Sequence, residues 1–427
     1  VEFELVIHAD IIEQLFNITL IVLQTIIIFI TLYYVILAIF GLYRKPEKKN
    51  YPPANRFAVA VAAHNEEKVI TPLIENLQEM DYPRELFDIY VVADNCTDKT
   101  AFLARKAGAI VFQRFNDTKR GKGYALEWLF AKIFNLNKSY DAFVIFDADN
   151  LVKKNFLKEM NDKLCEGKKI IQGYIDSKNP CDTWITNAFS IAFWSVNRLL
   201  QLPRFNLGLS NTLAGTGMCI SYDILRKIGW GAHSLTEDLE FTMKALLYGI
   251  KTSWAHDAVV YDEKPLTFLQ SYKQRKRWAQ GQIDVANRYL PQLICKGIRE
   301  RKWLYLDAAL HLFQPYFVMI AASFLLLQAL PSLQPYYVNL FSAYVPWNAW
   351  QAVSIAIAVF PLIAMLLDRI PLKAYGGFLF YPVFMYSWIL IIFIGFLHRH
   401  RKEWVHTQHT RSIRYNEILK EKKVSTN

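Results

Sequence analysis

The chain has 427 residues, 53% hydrophobic and 20% charged, with a net charge of +11 and a mean hydropathy of +0.12. That balance excludes an ordinary soluble enzyme and leaves room for a catalytic core of roughly 150–250 residues beside several membrane spans. Cys96, Cys165, Cys181, Cys219 and Cys295 are odd in number, scattered and without Cys-x-x-Cys spacing, which excludes a disulfide scaffold and a structural zinc site. The basic residues gather beside apolar runs, so anionic lipid head groups and phosphates explain the charge better than nucleic acid does.

In chain order, the first apolar run is Ile18–Tyr43, long enough to cross a hydrocarbon layer of about 30 Å. Glu2, Glu4, Asp10 and Glu13 precede it, and Arg44, Lys45, Lys48 and Lys49 follow, so the charge rule puts residues after 44 in the cytoplasm. With no basic lead-in and no small-residue cleavage site, the segment reads as a retained anchor over residues 1–44. Between about Asn55 and Gly173, strands are predicted at Phe57–Ala63, Phe87–Ala93, Ala109–Phe112 and Ala142–Phe146, and helices at Lys68–Glu79, Lys99–Ala107 and Gly123–Phe134. Strands apolar on both faces and separated by helices predict an α/β domain with a mostly parallel sheet and ligands at the carboxyl ends of its strands.

Asp182–Gln201 is an aromatic-rich amphipathic stretch closed by Pro203, and Leu266–Leu290 is a second, basic one carrying Phe268 and Trp278. Both suit the membrane interface, within a cytosolic domain spanning residues 45–302. Three apolar blocks follow over residues 303–397: Leu306–Leu330, Pro346–Leu367 and Tyr375–Leu397. The basic run His398–Lys402, opening a tail over residues 398–427, belongs inside, which three crossings cannot deliver. One block therefore fails to cross as a simple helix, and Tyr375–Leu397, interrupted by Pro382, is the candidate; the total is about four spans.

Three predicted strands end in polar clusters: His64-Asn65-Glu66, Asp94 through Asp98, and Asp147-Ala148-Asp149. The strand pleat can bring Asp147 and Asp149 to one side, where two carboxylates and the oxygens of a diphosphate would share Mg²⁺ or Mn²⁺; a solvated turn is the plain alternative. Asp94 can accept hydrogen bonds from a base or ribose, while Asp98 or Thr97 can simply cap a helix. Lys122, in Lys119-Arg120-Gly121-Lys122-Gly123, places a cation before a helix, suited to an anionic ligand. Thr236-Glu237-Asp238 opens a helix over Leu239–Tyr248 with Thr236 as its cap, and Asp238 is the candidate general base, unless the acids merely favour a first helical turn. Arg277 offers a fork to a diphosphate and Trp278 a flat face to a sugar ring, while Arg275 faces lipid or water. Gly215-Thr216-Gly217 allows close backbone approach to a sugar.

Taken in order, Ala63-His64-Asn65-Glu66-Glu67, Asp94 with Asp98, Asp147-Ala148-Asp149, Gly215-Thr216-Gly217, Thr236-Glu237-Asp238 and Gln274-x-x-Arg277-Trp278 resemble the processive family 2 glycosyltransferases. That group holds the bacterial cellulose, mixed-linkage glucan, poly-N-acetylglucosamine, hyaluronan and chitin synthases. The resemblance implies a GT-A type, Rossmann-like mixed-sheet domain fused to a multi-span helical membrane domain in the plasma membrane, with the catalytic domain cytoplasmic. It implies donor contacts from Glu66, Asp94, Lys122, Asp147, Asp149 and Arg277, with Mg²⁺ or Mn²⁺ on Asp147 and Asp149. It further implies Asp238 as base and acceptor contacts from Gly215, Thr216, Glu237, Gln274 and Trp278. Trp404 and Thr407 resemble a gating element. The implied partners are a UDP-sugar, the nascent polysaccharide, membrane lipid and accessory export proteins, with no nucleic acid. Leu-Ala-Gly-Thr stands where cellulose synthases resemble Phe-x-Cys-Gly-Thr, and only a short tail follows the last apolar block. The expectation is an inverting β-glucan synthase using UDP-glucose, of cellulose or mixed 1,3/1,4 linkage. The alternatives are a polymer of N-acetylglucosamine and a single transfer to a lipid phosphate.

Overall fold

The computed structural model describes residues 2–328, 347–400 and 411–424. Helix α1 (Glu2–Ile39) leads into the α/β domain, whose first part runs β1 (Phe57–Ala63), α2 (Ile70–Gln78), β2 (Phe87–Asp94), α3 (Thr100–Lys106), β3 (Ile110–Arg114), α4 (Lys122–Phe134) and β4 (Ala142–Asp147). Strands β1, β2 and β4 are almost wholly buried, as two-sided apolar strands require, and β3-β2-β1-β4 pair in parallel.

The mostly parallel pattern read over residues 55–173 holds for β1–β4, and beyond β4 the sheet becomes mixed, as the family resemblance implies. Strands β5 (Leu151–Val152), β6 (Ile170–Ser177), β7 (Met218–Ser221) and β8 (Thr252–Asp262) complete the order β3-β2-β1-β4-β7-β6-β8-β5. β7 lies antiparallel between β4 and β6, while β6 and β8 run parallel. Helix α5 (Phe156–Cys165) packs between β5 and β6 in sequence, and α8 (Tyr222–Ile228) and α9 (Glu237–Leu247) separate β7 from β8. Two apolar clusters fill the faces, one around Val59, Val144 and Phe156 and the other around Tyr90, Phe143 and Phe241.

Helix α6 (Trp184–Val196) starts with a reciprocal cap, Thr183 Oγ1 accepting from the Thr186 amide at 3.2 Å and Thr186 Oγ1 accepting from the Thr183 amide at 2.9 Å. Pro203 does not close this helix. A π-helical turn over Asn197–Gln201 widens the backbone just ahead of it, and α7 (Leu202–Asn206) takes Pro203 in its first turn, where a missing N–H is harmless. Arg198 in the wide turn donates to the carbonyls of Gly41 (2.7 Å) and Leu42 (3.3 Å) and to Asp368 Oδ1 (2.8 Å). Asp368 also accepts from Tyr174 of β6 at 2.9 Å and faces His256 Nε2 of β8 at 3.3 Å.

Helix α10 (Phe268–Glu300) opens with a Thr267/Gln270 capping box. After it come α11 (Trp303–Gln328), α12 (Trp347–Leu367), a 3₁₀ segment (Leu372–Leu379), α13 (Tyr381–Leu397) and α14 (Tyr415–Val424). Among the described residues Gln14–Ile39 and Trp303–Leu327 are long and apolar enough to cross a membrane. The 3₁₀ segment and α13 meet at 56° and make a third only if counted as one broken span; Gln351–Leu367 is a shorter apolar helix. The block that the charge rule singled out is thus bent, just ahead of Pro382 in the first turn of α13.

Candidate functional site

The carboxyl ends of the parallel strands lie level, Ala63 beside Ala93, Asp94 beside Arg114 and Ala62 beside Asp147. Asn65 and Asn95 adopt left-handed backbone (φ 56° and 49°), which their short amide side chains tolerate. Asn65 Oδ1 accepts from the Thr97 amide at 2.8 Å and Asn95 Oδ1 from the Asn116 amide at 2.8 Å, so the loops brace one another. Asp98 accepts from the Thr100 amide and hydroxyl at 3.0 and 2.6 Å and is a structural residue of this brace. Asp94 pairs with the buried Arg114 guanidinium, which also donates to the Lys119 carbonyl at 2.6 Å. Burial outweighs that pairing and leaves the Asp94 carboxyl above its usual range. The apolar pattern ends at Phe112, whereas β3 runs on to Arg114, which places this guanidinium at the working edge.

Asp147 closes β4, but Asp149 lies in the turn that follows, so the turn and not the pleat sets its direction. Asn150 organises that turn: its Oδ1 accepts from the Asp147 amide at 3.1 Å and from the Thr216 hydroxyl. The Thr216 hydroxyl, expected to meet an acceptor sugar, is thereby committed to the carboxylate turn, where it also accepts from the Asp147 amide at 3.2 Å. Gln172 of β6 braces the same loop, donating to the Thr216 carbonyl at 2.8 Å and accepting from the Ala214 amide at 2.9 Å.

Lys122 at the start of α4 bonds Asp147 Oδ1, donates to the Gly215 carbonyl at 2.6 Å and lies 3.8 Å from Glu237 Oε1. Burial works to lower its pKa, yet Asp147 and Glu237 together hold the ammonium above its ordinary value. Glu237 thus sits on the Lys122 side of the site, and burial raises its own pKa. Asp238 accepts from the Leu239 amide at 2.8 Å. Burial first, and then the neighbouring Glu237 charge, push its carboxyl up to about 7. Gly215 has φ +82°, so its backbone favours glycine, while a Cβ there would make only ordinary contact with Asp238 Oδ2 at 3.5 Å. Thr236 precedes α9 without capping it; its hydroxyl is buried and has no hydrogen-bond partner among the described residues.

On α10, Trp278 packs against Phe189 and Phe193 of α6, with ring centroids 5.8 and 6.1 Å away. Gln274 has a buried Oε1 with no hydrogen-bond partner among the described residues. Arg275 faces neither lipid nor water: it is fully buried, 4.3 Å over the Phe384 ring and 2.7 Å from Ser387 Oγ, which locks α10 to α13. One continuous cavity of about 2260 Å³ is lined by Glu66, Asp94, Lys122, Asp147, Asp149, Gly215, Thr216, Glu237, Asp238, Gln274, Arg277 and Trp278. It continues between the apolar helices past Tyr34, His311, Gln314, Val318, Phe360 and Ile392. Trp404 and Thr407 lie outside the described residues.

Residues 142–397 match the sequence profile of glycosyl transferase family group 2, well over half of the chain. The chain belongs to that family. Among curated relatives, a probable glycosyltransferase, YdaM, of Bacillus subtilis is 27% identical over 57% of this chain and 59% of its own length. A β-monoglucosyldiacylglycerol synthase of Nostoc is 28% identical over 52% of this chain and 48% of its own. A poly-β-1,6-N-acetyl-D-glucosamine synthase of Staphylococcus epidermidis is 21% identical over 60% and 64%. The chain therefore spans about half to three-fifths of the length of the curated relatives it matches. The solved mannosyltransferase PcManGT of Pyrobaculum calidifontis, in complex with GDP-Man and Mn²⁺, superposes with a TM-score of 0.59 at 19% identity, covering 91% of this chain and 99% of its own. That likeness shows the fold: a GT-A, Rossmann-like mixed sheet joined to apolar helices.

Proposed function

We propose that this family member is a membrane-embedded, inverting, processive synthase that transfers glucose from UDP-glucose to a growing β-glucan and passes the product between its apolar helices. The observation that carries this reading is the single cavity running from Asp147 and Asp149, past Trp278, to Val318 and Phe360. A site for donor chemistry that opens directly onto a passage between spans is what polymerisation coupled to export requires. In this reading residues 1–44 anchor the chain, 45–302 form the cytosolic domain and 303–397 the membrane region, with the tail at 398–427 cytosolic.

Asp94 and Glu66 bind the nucleoside, and Arg277 and Lys122 meet the diphosphate with positive charge. Asp147 and Asp149 fit a hard divalent cation: they offer carboxylate oxygens, Asp147 already carries the Lys122 ammonium, and among the described residues no third His, Cys, Asp or Glu completes a cage. Asp147 and Asp149 would hold Mg²⁺ or Mn²⁺, which would supply positive charge against that gathering on the departing diphosphate. Asp238, with its raised pKa, takes the proton from the acceptor hydroxyl as that oxygen attacks the anomeric carbon, and the sugar–phosphate bond breaks on the opposite face. Gly215 leaves the acceptor room beside Asp238, while Trp278 and Gln274 hold its terminal sugar by stacking and hydrogen bonding.

A second reading, single transfer to a lipid acceptor, draws on the helical end of the cavity, where Val318, Ala321, Leu325, Ile357 and Phe360 form an apolar wall. The monoglucosyldiacylglycerol synthases among the relatives favour it, as the poly-N-acetylglucosamine synthases favour an amino-sugar donor. The deciding experiment measures UDP release by purified protein with Mg²⁺ or Mn²⁺, offering UDP-glucose and UDP-N-acetylglucosamine separately, with Asp238→Asn as control. A β-glucanase-sensitive polymer from UDP-glucose supports the leading reading. Polymer from the amino sugar replaces the donor, and a product confined to the lipid extract replaces the acceptor.

A further inference from the structure

We propose that Lys178 and Glu263 are positioning residues that couple the seating of the C-terminal segment, residues 411–424, to the readiness of Asp149 for the donor diphosphate. The inference rests on the donor-site reading above. β6 and β8 run side by side and end together, Ser177 beside Asp262, so Lys178 and Glu263 emerge as neighbours next to the carboxylate turn. Lys178 is 2% exposed, and its Nζ donates to the Asp149 carbonyl at 2.7 Å and to the Arg411 carbonyl at 3.3 Å. Glu263 approaches the same two residues from the other side: its amide lies 3.4 Å from Asp149 Oδ2, and its Oε1 accepts from the Arg411 amide at 3.3 Å.

Both main-chain groups of Arg411 are therefore taken by the two residues that hold Asp149. The attachment does not end there. The Arg411 guanidinium pairs with Asp182 ahead of α6, and Tyr415 and Ile418 of α14 are buried against Leu151 and Tyr261. Leu151 is two residues beyond Asp149, on the strand β5 that pairs with β8. The segment thus grips the carboxylate turn through a polar bridge on one side and an apolar contact on the other. Lys178 is not among the residues lining the cavity, so it acts through Asp149 and not on substrate. Coupling of this kind is reciprocal: what holds the segment tightens the site, and what fills the site tightens the segment.

The test uses the full chain in detergent with Mn²⁺, measuring UDP affinity by calorimetry, donor KM and kcat, and the rate at which a protease removes the tail. Lys178→Met breaks the bridge, and the double variant Tyr415→Ala/Ile418→Ala loosens the segment while leaving Lys178, Glu263 and Asp149 in place. Both are expected to weaken UDP binding and raise donor KM by about tenfold, as loss of a partner behind a ligand does, with kcat at saturation kept within about threefold. UDP with Mn²⁺ should slow proteolysis of the tail in the native chain and not in Lys178→Met. Should Lys178→Met fail to fold, the double variant carries the test alone. Unchanged UDP affinity in the double variant, or a fall in kcat with KM unaltered, overturns the proposal. If Asp149→Asn leaves UDP binding unchanged, the donor-site reading itself falls and takes the coupling with it.

Discussion

At the sheet end of the cavity, charged side chains hold one another: Asp94 has Arg114, and Asp147 has Lys122. Asp149 is gripped by Asn150 and the Glu263 amide. At the helical end the wall is mainly Val, Leu, Ile, Ala and Phe, with Thr31, Tyr34, His311, Gln314, Tyr381 and Tyr386 among the interruptions. The first end can discriminate by the placement of charge and protons, where a misplaced partner strands a buried ion. The second can discriminate by shape alone, since apolar contacts are non-directional. Chemistry and donor choice should therefore respond sharply to single atoms, and passage of the product should respond gradually to volume.

The largest expected effect is at the base. Asp238→Asn should lower kcat by about 10²–10⁴-fold while UDP affinity measured calorimetrically stays near native. The contrast is tested hardest by a buried ion pair near the apolar helices, Arg204 with Asp307 at 3.0 Å, both side chains almost inaccessible. Arg204→Met should destabilise the protein by about 3–5 kcal/mol, read as a fall in thermal midpoint, because Asp307 is left buried and unpaired. Lys122→Met comes next, with a loss of about 10²-fold in kcat/KM from a missing charge beside the diphosphate.

The pH profile sharpens the comparison further. As the proposed base, Asp238 would work as a carboxylate with its pKa near 7, so kcat/KM should rise about tenfold per pH unit below that value and level off above it. Glu237→Gln removes a negative neighbour that raises this pKa, and the midpoint should move to lower pH. The smallest effect belongs to the helical end: Phe360→Ala should leave donor KM within about twofold while changing product length on a sizing column. A donor KM shift as large as that of Lys122→Met would break the comparison.

The parallel half of the sheet was legible because its strands are apolar on both faces and each ends in polar residues, a pattern that fixes both the layer and the working edge. Glu66, Asp94, Asp147 and Asp149, which follow or close β1, β2 and β4, line one cavity for the same reason. What the sequence hid depends on contacts distant along the chain. Arg275 reads as one charge in a basic run, and only the rings of α13 make it a buried tie. Thr216 reads as a sugar-facing hydroxyl until Asn150, 66 residues earlier, claims it. Pro203 reads as a stop, because a π-helical turn that accommodates it has no signature in the pattern of apolar residues. Asn150 was within reach, standing directly after Asp149 where a turn-forming amide is favoured.

The knot around Arg198 joins the end of α1, the residue after α12 and two strands of the sheet through a single guanidinium and a single carboxylate. It works as a depth gauge, fixing how far the sheet stands from the ends of the apolar helices. With the apolar helices crossing a bilayer as proposed, a thickness that does not match them would be met by the lipid stretching or thinning more readily than by tilting one part against the other. Turnover in vesicles of graded acyl-chain length should then pass through an optimum, and Arg198→Ala should flatten it.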